Sequence, residues 1–123
     1  MPLTYLIDEH LRGDLSIALA AAGLAQGLEL DNLQIGDEDA PALGIKDPPL
    51  LRWCESHERV LISRDVRSLP IHLADHLAGG HMCPGIFILR PGKSWHDVLD
   101  DLVLLALVMR PDECRDRIIF VPL

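Results

Sequence analysis

The sequence predicts an α/β domain: a three-layer α/β/α sandwich around a mostly parallel five-stranded sheet. Three observations carry that prediction. Short apolar runs recur at Leu3-Thr4-Tyr5-Leu6-Ile7, Val60-Leu61-Ile62, Ile86-Phe87-Ile88-Leu89 and Ile118-Ile119-Phe120-Val121, each bounded by polar or turn-forming residues. They lack the alternation of a half-exposed strand, as expected of parallel strands covered on both faces. Helical periodicities fill the gaps between them, and strands alternating with helices imply a parallel sheet. Two of the runs end in acid, Ile7 leading to Asp8-Glu9 and Ile62 to Ser63-Arg64-Asp65. The carboxyl ends of such strands open onto the crevice where ligands bind in α/β sheets.

The elements follow in order. After Asp8-Glu9, the residues Leu11, Leu15, Ala18, Leu19 and Ala22 share one helical face, with Asp14 as a candidate cap and Gly23 as a stop. Leu28 to Ile35 alternates apolar and polar, which marks a half-exposed strand near a sheet edge. An acidic loop, Gly36 to Gly44, leads to Lys46-Asp47-Pro48-Pro49, which opens a helix running to about His57. The residue before a proline is pushed out of the α region, so Asp47 is placed as its N-cap. Pro49 has no N–H, and a capping bond from Asp47 would go to Leu50. The strand from Val60 comes next, then a short helix plus loop over Leu69 to Gly80, and a strand over Ile86–Leu89. Ser94 starts the longest helix, with Asp97 as its capping-box-like partner and Arg110-Pro111 as its end. Ile118–Val121 closes the sheet.

Length and composition bound the function. At 123 residues the chain makes one domain, residues 1–123, and 49% apolar content with only 4% aromatics gives an aliphatic core. The net charge of −8 excludes a general basic footprint for nucleic acid, but clustered carboxylates that bind a divalent cation reverse that sign locally. Cys54, Cys83 and Cys114 are odd in number and contain no C-x-x-C pair, so no disulfide framework is expected. No leader-like n-region precedes the first strand, and Leu102–Met109 is far shorter than the ~20 apolar residues of a spanning helix. A soluble, cytoplasmic protein is the expectation.

Asp8, Asp47 and Asp65 are each placed to face the carboxyl edge of the sheet. Hard divalent ions take oxygen ligands, and one or two carboxylates plus water suffice for Mg²⁺. Each acid also has a plain structural role open to it: Asp47 as a cap, Asp65 as the start of a turn, Asp8 as a loop residue. If the three crowd together, repulsion in the absence of metal should raise the pKa of at least one, and Asp65→Asn should gain a little stability without metal.

Leu6-Ile7-Asp8-Glu9, Asp47 at a helix start and Val60-Leu61-Ile62-Ser63-Arg64-Asp65 together resemble a PIN-like domain. The similarity is to the small prokaryotic group that opens with L-x-D-E and later carries [TS]-x-D. It covers most of the chain and is strongest over residues 3–70. The resemblance implies an α/β/α sandwich and a Mg²⁺- or Mn²⁺-dependent ribonuclease, the toxin of a toxin–antitoxin pair with a small antitoxin protein as partner and RNA as substrate. It puts the metal acids and catalysis on Asp8, Asp47 and Asp65. Ser63, the motif hydroxyl, would steady Asp65, with Glu9 as an outer acid. Apart from the resemblance, Arg64 and Arg67 flank the site, either to touch a phosphate or simply as arginines on a solvated loop. Many relatives carry another Asp directly after the motif acid, where Val66-Arg67-Ser68 has none. That departure leaves an inactive PIN-like binding module as the alternative. A receiver-type phospho-acceptor shares the acidic pair and the later Asp, but needs a Lys after the fifth strand, where the chain has Pro122-Leu123.

Two further signals stand apart. His72 and His76 are spaced i, i+4, with His81 and Cys83 nearby, as a zinc site would require, although the spacing supplies no clean third ligand. The helix from Ser94 to Met109 is apolar nearly all round in its last turns, through Leu104, Leu105, Leu107 and Val108. Such a helix is either deep core or an interface, for an antitoxin or for a homodimer.

Overall fold

A computed structural model describes residues 2–123. Five strands form one all-parallel sheet: β1 (Tyr5–Ile7), β2 (Asn32–Gln34), β3 (Val60–Ser63), β4 (Ile86–Leu89) and β5 (Ile118–Val121), in the order β2-β1-β3-β4-β5. The helices are α1 (Asp14–Ala25), α2 (Asp47–His57), α3 (Leu69–Ala78), α4 (Trp95–Val108) and the single turn α5 (Pro111–Cys114).

Strand side chains alternate between two cores. Tyr5, Ile7, Val60, Ile62, Phe87 and Leu89 pack with Leu15 and Leu19 of α1 and Val98 and Leu102 of α4. Leu6, Leu61, Ile86 and Ile88 pack on the other face with Leu50, Leu51 and Cys54 of α2 and Leu69 and Leu73 of α3. The sandwich is therefore three-layered, with α1 and α4 on one side and α2 and α3 on the other. Tyr5 ties the layers: its ring meets Phe87 edge-on at 5.7 Å, and its buried hydroxyl donates to the Leu102 carbonyl at 2.6 Å. β2 is an edge strand, as expected, but it covers only Asn32–Gln34 of the alternating stretch Leu28–Ile35, and its three residues are all half-buried instead of alternately buried and exposed. Cys54, Cys83 and Cys114 are free and buried. Among the described residues no helix is long and apolar enough to cross a membrane.

Several expectations need correction. Asp14 does not cap α1; it is the first helical residue, and Gly13 precedes it with φ 109°. Gly23 does not stop α1, which runs on to Ala25. It is a glycine because the chain doubles back over it, and a Cβ there would lie 2.9 Å from the Leu28 carbonyl oxygen. The cap of α2 is Lys46, whose carbonyl accepts from Leu50 N–H at 3.0 Å, and Asp47 makes no capping bond. With prolines at 48 and 49, the first turn has no nearer amide to offer a side chain. Leu105 is core at 3% exposed, whereas Leu104, Leu107 and Val108 are 49%, 50% and 61% exposed. The apolar excess of α4 thus resolves into an inner face and an outer stripe.

Candidate functional site at the carboxyl edge of strands 1 and 3

The strand order reverses between β1 and β3, which makes the carboxyl end of this pair the place where an α/β sheet opens a crevice. The pair is parallel with Ile7 beside Ile62, and the ladder continues one step as Asp8 N–H donates to the Ile62 carbonyl at 2.9 Å. Asp8 and Ser63 follow Leu6 and Leu61 at a spacing of two. Their side chains therefore lie on the α2/α3 face.

Ser63, fully buried, joins the two acids. Its hydroxyl donates to Asp8 Oδ2 at 2.7 Å and accepts from the Asp65 N–H at 3.1 Å. It steadies both motif acids, not Asp65 alone. Asp8 Oδ1 accepts from Glu9 N–H at 2.8 Å, which starts a 3-10 turn over Glu9–Leu11. Asp65 begins a turn: Oδ1 accepts from the amides of Arg67 at 3.0 Å and Ser68 at 2.9 Å, and Oδ2 accepts from the Ser68 hydroxyl. These bonds, the Ser68 hydroxyl foremost, hold the Asp65 carboxyl below the usual carboxylate range, with a smaller contribution from nearby His72. That direction is opposite to the rise that crowding of carboxylates predicts.

Asp47 reaches the same neighbourhood from α2. His72 Nδ1 of α3 donates to Asp47 Oδ2 at 2.7 Å, with both side chains partly exposed. Spacing alone pairs His72 with His76, and the fold separates them. The missed signal was position: α3 begins just after a strand's carboxyl end, so a His in its first turn sits at that edge. The other auxiliary residues leave the cluster. Glu9 Oε1 accepts from Gly44 N–H at 2.9 Å and latches the acidic loop. Arg64 turns to the opposite face and lies over the Trp95 ring, 5.2 Å from its centroid.

Among the described residues, the group of three His, Cys, Asp or Glu ligand atoms within 4.8 Å of one another is Glu55, His76 and His81. The three aspartates do not form such a group. His81 Nδ1 donates to Glu55 Oε1 at 2.9 Å, His76 Nε2 is 3.3 Å from the same oxygen, and the two imidazoles stack at 4.7 Å. His76 Nε2 also bonds the Met82 carbonyl at 2.8 Å, and Met82 N–H donates to Glu55 Oε2 at 3.3 Å. In this arrangement Glu55 clamps the turn after α3 onto α2, and the Met82 bond leads the causes that hold its carboxyl below the ordinary value. Cys83 takes no part; burial pushes its thiol up to about 11.

Comparison with protein-family models, with curated proteins and with solved structures gave no match to the chain. The chemistry of the edge therefore rests on its own geometry. Asp8 and Asp65 end adjacent strands under one hydroxyl, and Asp47 is aimed by an imidazole. The donor set is all oxygen, which suits a hard ion. A carboxylate offers about four lone-pair sites. Asp8 spends two of them on Glu9 and Ser63, Asp47 spends one on His72, and Asp65 spends three on Arg67 and Ser68. Each acid keeps acceptor capacity, so the residues fit an ion held by one or two carboxylates and water. They do not make a three-carboxylate cage.

Proposed function

We propose that the chain is a divalent-metal-dependent ribonuclease of PIN type that hydrolyses RNA phosphodiester bonds at the edge formed by Asp8, Asp47 and Asp65. The observation that carries this reading is the Ser63 hydroxyl bonded to Asp8 and to the Asp65 backbone across two adjacent parallel strands. Asp8 and Asp65 would hold Mg²⁺ or Mn²⁺, with Asp47 beside them. A bound ion would supply Lewis acidity at the phosphate and a more acidic water. The chain's own residues prepare the edge. The bonds from Ser68 and Arg67 fix the Asp65 carboxylate and hold its pKa below the usual carboxylate range, Ser63 fixes the Asp8 carboxylate, and His72 fixes that of Asp47.

The inactive binding module is the second reading, and it has its own observation: both Asp65 oxygens already serve the turn into α3. The strand order is also that of flavodoxin-like folds, receiver domains included. A phospho-acceptor, however, needs a carboxylate oxygen free to attack. Incubation with structured and unstructured RNAs, with and without Mn²⁺, separates the readings. Wild type should cleave only with metal, and Asp65→Asn should lose activity by orders of magnitude while remaining folded. Equal cleavage by both proteins would expose a contaminant, and silence across all RNAs and both metals would leave the binding module.

A further inference from the structure

We infer that the groove on the α4 side of the same edge is a binding track for single-stranded nucleic acid, with Trp95 and Phe120 as base platforms and Arg64, Arg90 and Lys93 as phosphate contacts. The groove has a volume of about 670 Å³ and runs past the ends of β3, β4 and β5 to the start of α4. The chain carries 19 acidic residues against 11 Lys and Arg, yet this groove is lined by three cations and no acid. None of the three makes an ion pair among the described residues; the arginines that do are Arg12, Arg59 and Arg110. A local field of sign opposite to the net charge is the footprint of an anionic ligand.

The apolar part of the lining indicates which anion. Trp95 is 47% exposed and Phe120 38%, large aromatic surfaces left to solvent at the groove. Each lies beneath a guanidinium, Arg64 at 5.2 Å from the Trp95 ring and Arg90 at 5.3 Å from the Phe120 ring. Arg90 Nε is fixed by the Pro122 carbonyl at 2.8 Å, so its position is set in advance. Two cation–ring pairs in one cleft suit a single strand, because phosphates and bases alternate along it and its unpaired bases can stack. A duplex hides its base faces and gains nothing from the rings. A second cavity shares Arg64 and Trp95 and continues toward His10 and Arg12; Asp14 also lines it, so the acid-free part of the track is the first groove. Arg64 is the hinge of the arrangement. It lies between Ser63 and Asp65, so a strand in the groove passes within one residue of the acids. The proposal rests on the nuclease reading only for the choice of RNA over DNA.

The test is fluorescence anisotropy of labelled oligonucleotides in EDTA, where binding is read without cleavage. Single-stranded RNA and DNA and a duplex of equal length are compared, with poly-glutamate as competitor. Wild type should bind the single strands tighter than the duplex, with RNA tighter than DNA if the nuclease reading holds. Trp95→Ala should weaken binding about five- to 150-fold, the span of one lost base stack. Arg90→Ala and Lys93→Ala should each weaken it and lower the salt slope by about 0.7. Arg52→Ala, an exposed cation on α2 outside the groove, should change nothing. Equal affinity of wild type and Trp95→Ala, or duplex bound as tightly as single strand, would overturn the track, as would poly-glutamate displacing RNA at matched charge. If wild type binds no oligonucleotide in EDTA yet cleaves RNA with Mn²⁺ in an Asp65-dependent way, the groove is wrong and the nuclease stands. If it binds through Trp95 and never cleaves, the groove stands and the nuclease is wrong.

Discussion

Ser63→Ala tests the centre of the site. The substitution removes one oxygen from a fully buried position, so it neither opens a large cavity nor alters the strand. It does break two bonds, the donation to Asp8 at 2.7 Å and the acceptance from Asp65 N–H at 3.1 Å. A hydrogen bond to a charged group contributes about 1.5–3 kcal/mol, and the partly buried Asp65 amide, left unsatisfied, costs no more than the lower part of the about 1–3 kcal/mol of a buried one. The two share one oxygen and do not add in full, so the net loss should be roughly 2–4 kcal/mol. Unfolding entropy near 2.1 cal/mol/K per residue gives about 0.26 kcal/mol/K for a chain of 123 residues. The expected fall in Tm is therefore about 8–16 °C. Urea denaturation followed by circular dichroism, with the m-value checked for constancy, gives the free energy directly. A double-mutant cycle with Asp8→Asn should return a coupling of about 1 kcal/mol or more. Loss below about 0.5 kcal/mol with no coupling would mean that Ser63 does not hold the two strands' acids together, and the site as described would fail.

Two further perturbations address pH and assembly. Because hydrogen bonds lower the Asp65 pKa, its carboxylate stabilises the fold fully above the ordinary value of 3.8, and that contribution is lost as pH falls through the lower folded value. Asp65→Asn should therefore be less stable than wild type at neutral pH, not more, and the gap should close in acid; thermal melts from pH 7 to pH 2 check the sign. On α4, Leu105→Glu should abolish cooperative unfolding, since the side chain is 3% exposed, whereas Val108→Glu at 61% exposed should fold normally. If the outer stripe joins two copies of the chain, light scattering should show wild-type dimers and Val108→Glu monomers.

The sheet was legible in the sequence because its strands are buried on both faces, and burial writes an uninterrupted apolar run. Ile86–Leu89 and Ile118–Val121 have the bounds expected of them, and Asp8 and Asp65 do end adjacent strands. What the sequence could not express was pairing across helices. Asp47 looks like a cap because prolines follow it, but its partner is His72, 25 positions away on another helix. Glu55 carried no local pattern, and only the packing of α2 against α3 brings it to His76 and His81. Gly23 looked like punctuation. Its real constraint is a carbonyl 2.9 Å from where a side chain would begin. Arg64 is adjacent to both motif residues in sequence, yet strand alternation turns it to the other side of the sheet.

That alternation has a consequence for how the chain can vary. Leu61 and Ser63 place the α2/α3 core and the acid-holding hydroxyl on one side of a short segment, and Arg64 places the Trp95 cation on the other. A single inserted or deleted residue between Leu61 and Asp65 would exchange the faces, setting a guanidinium among the carboxylates and a hydroxyl under the indole. Drift in length is therefore closed to this stretch, while the acidic loop from Gly36 to Gly44, outside any strand, remains free to lengthen. Two chemistries of opposite charge share one edge because a strand has two sides, and a change in step would spoil both together.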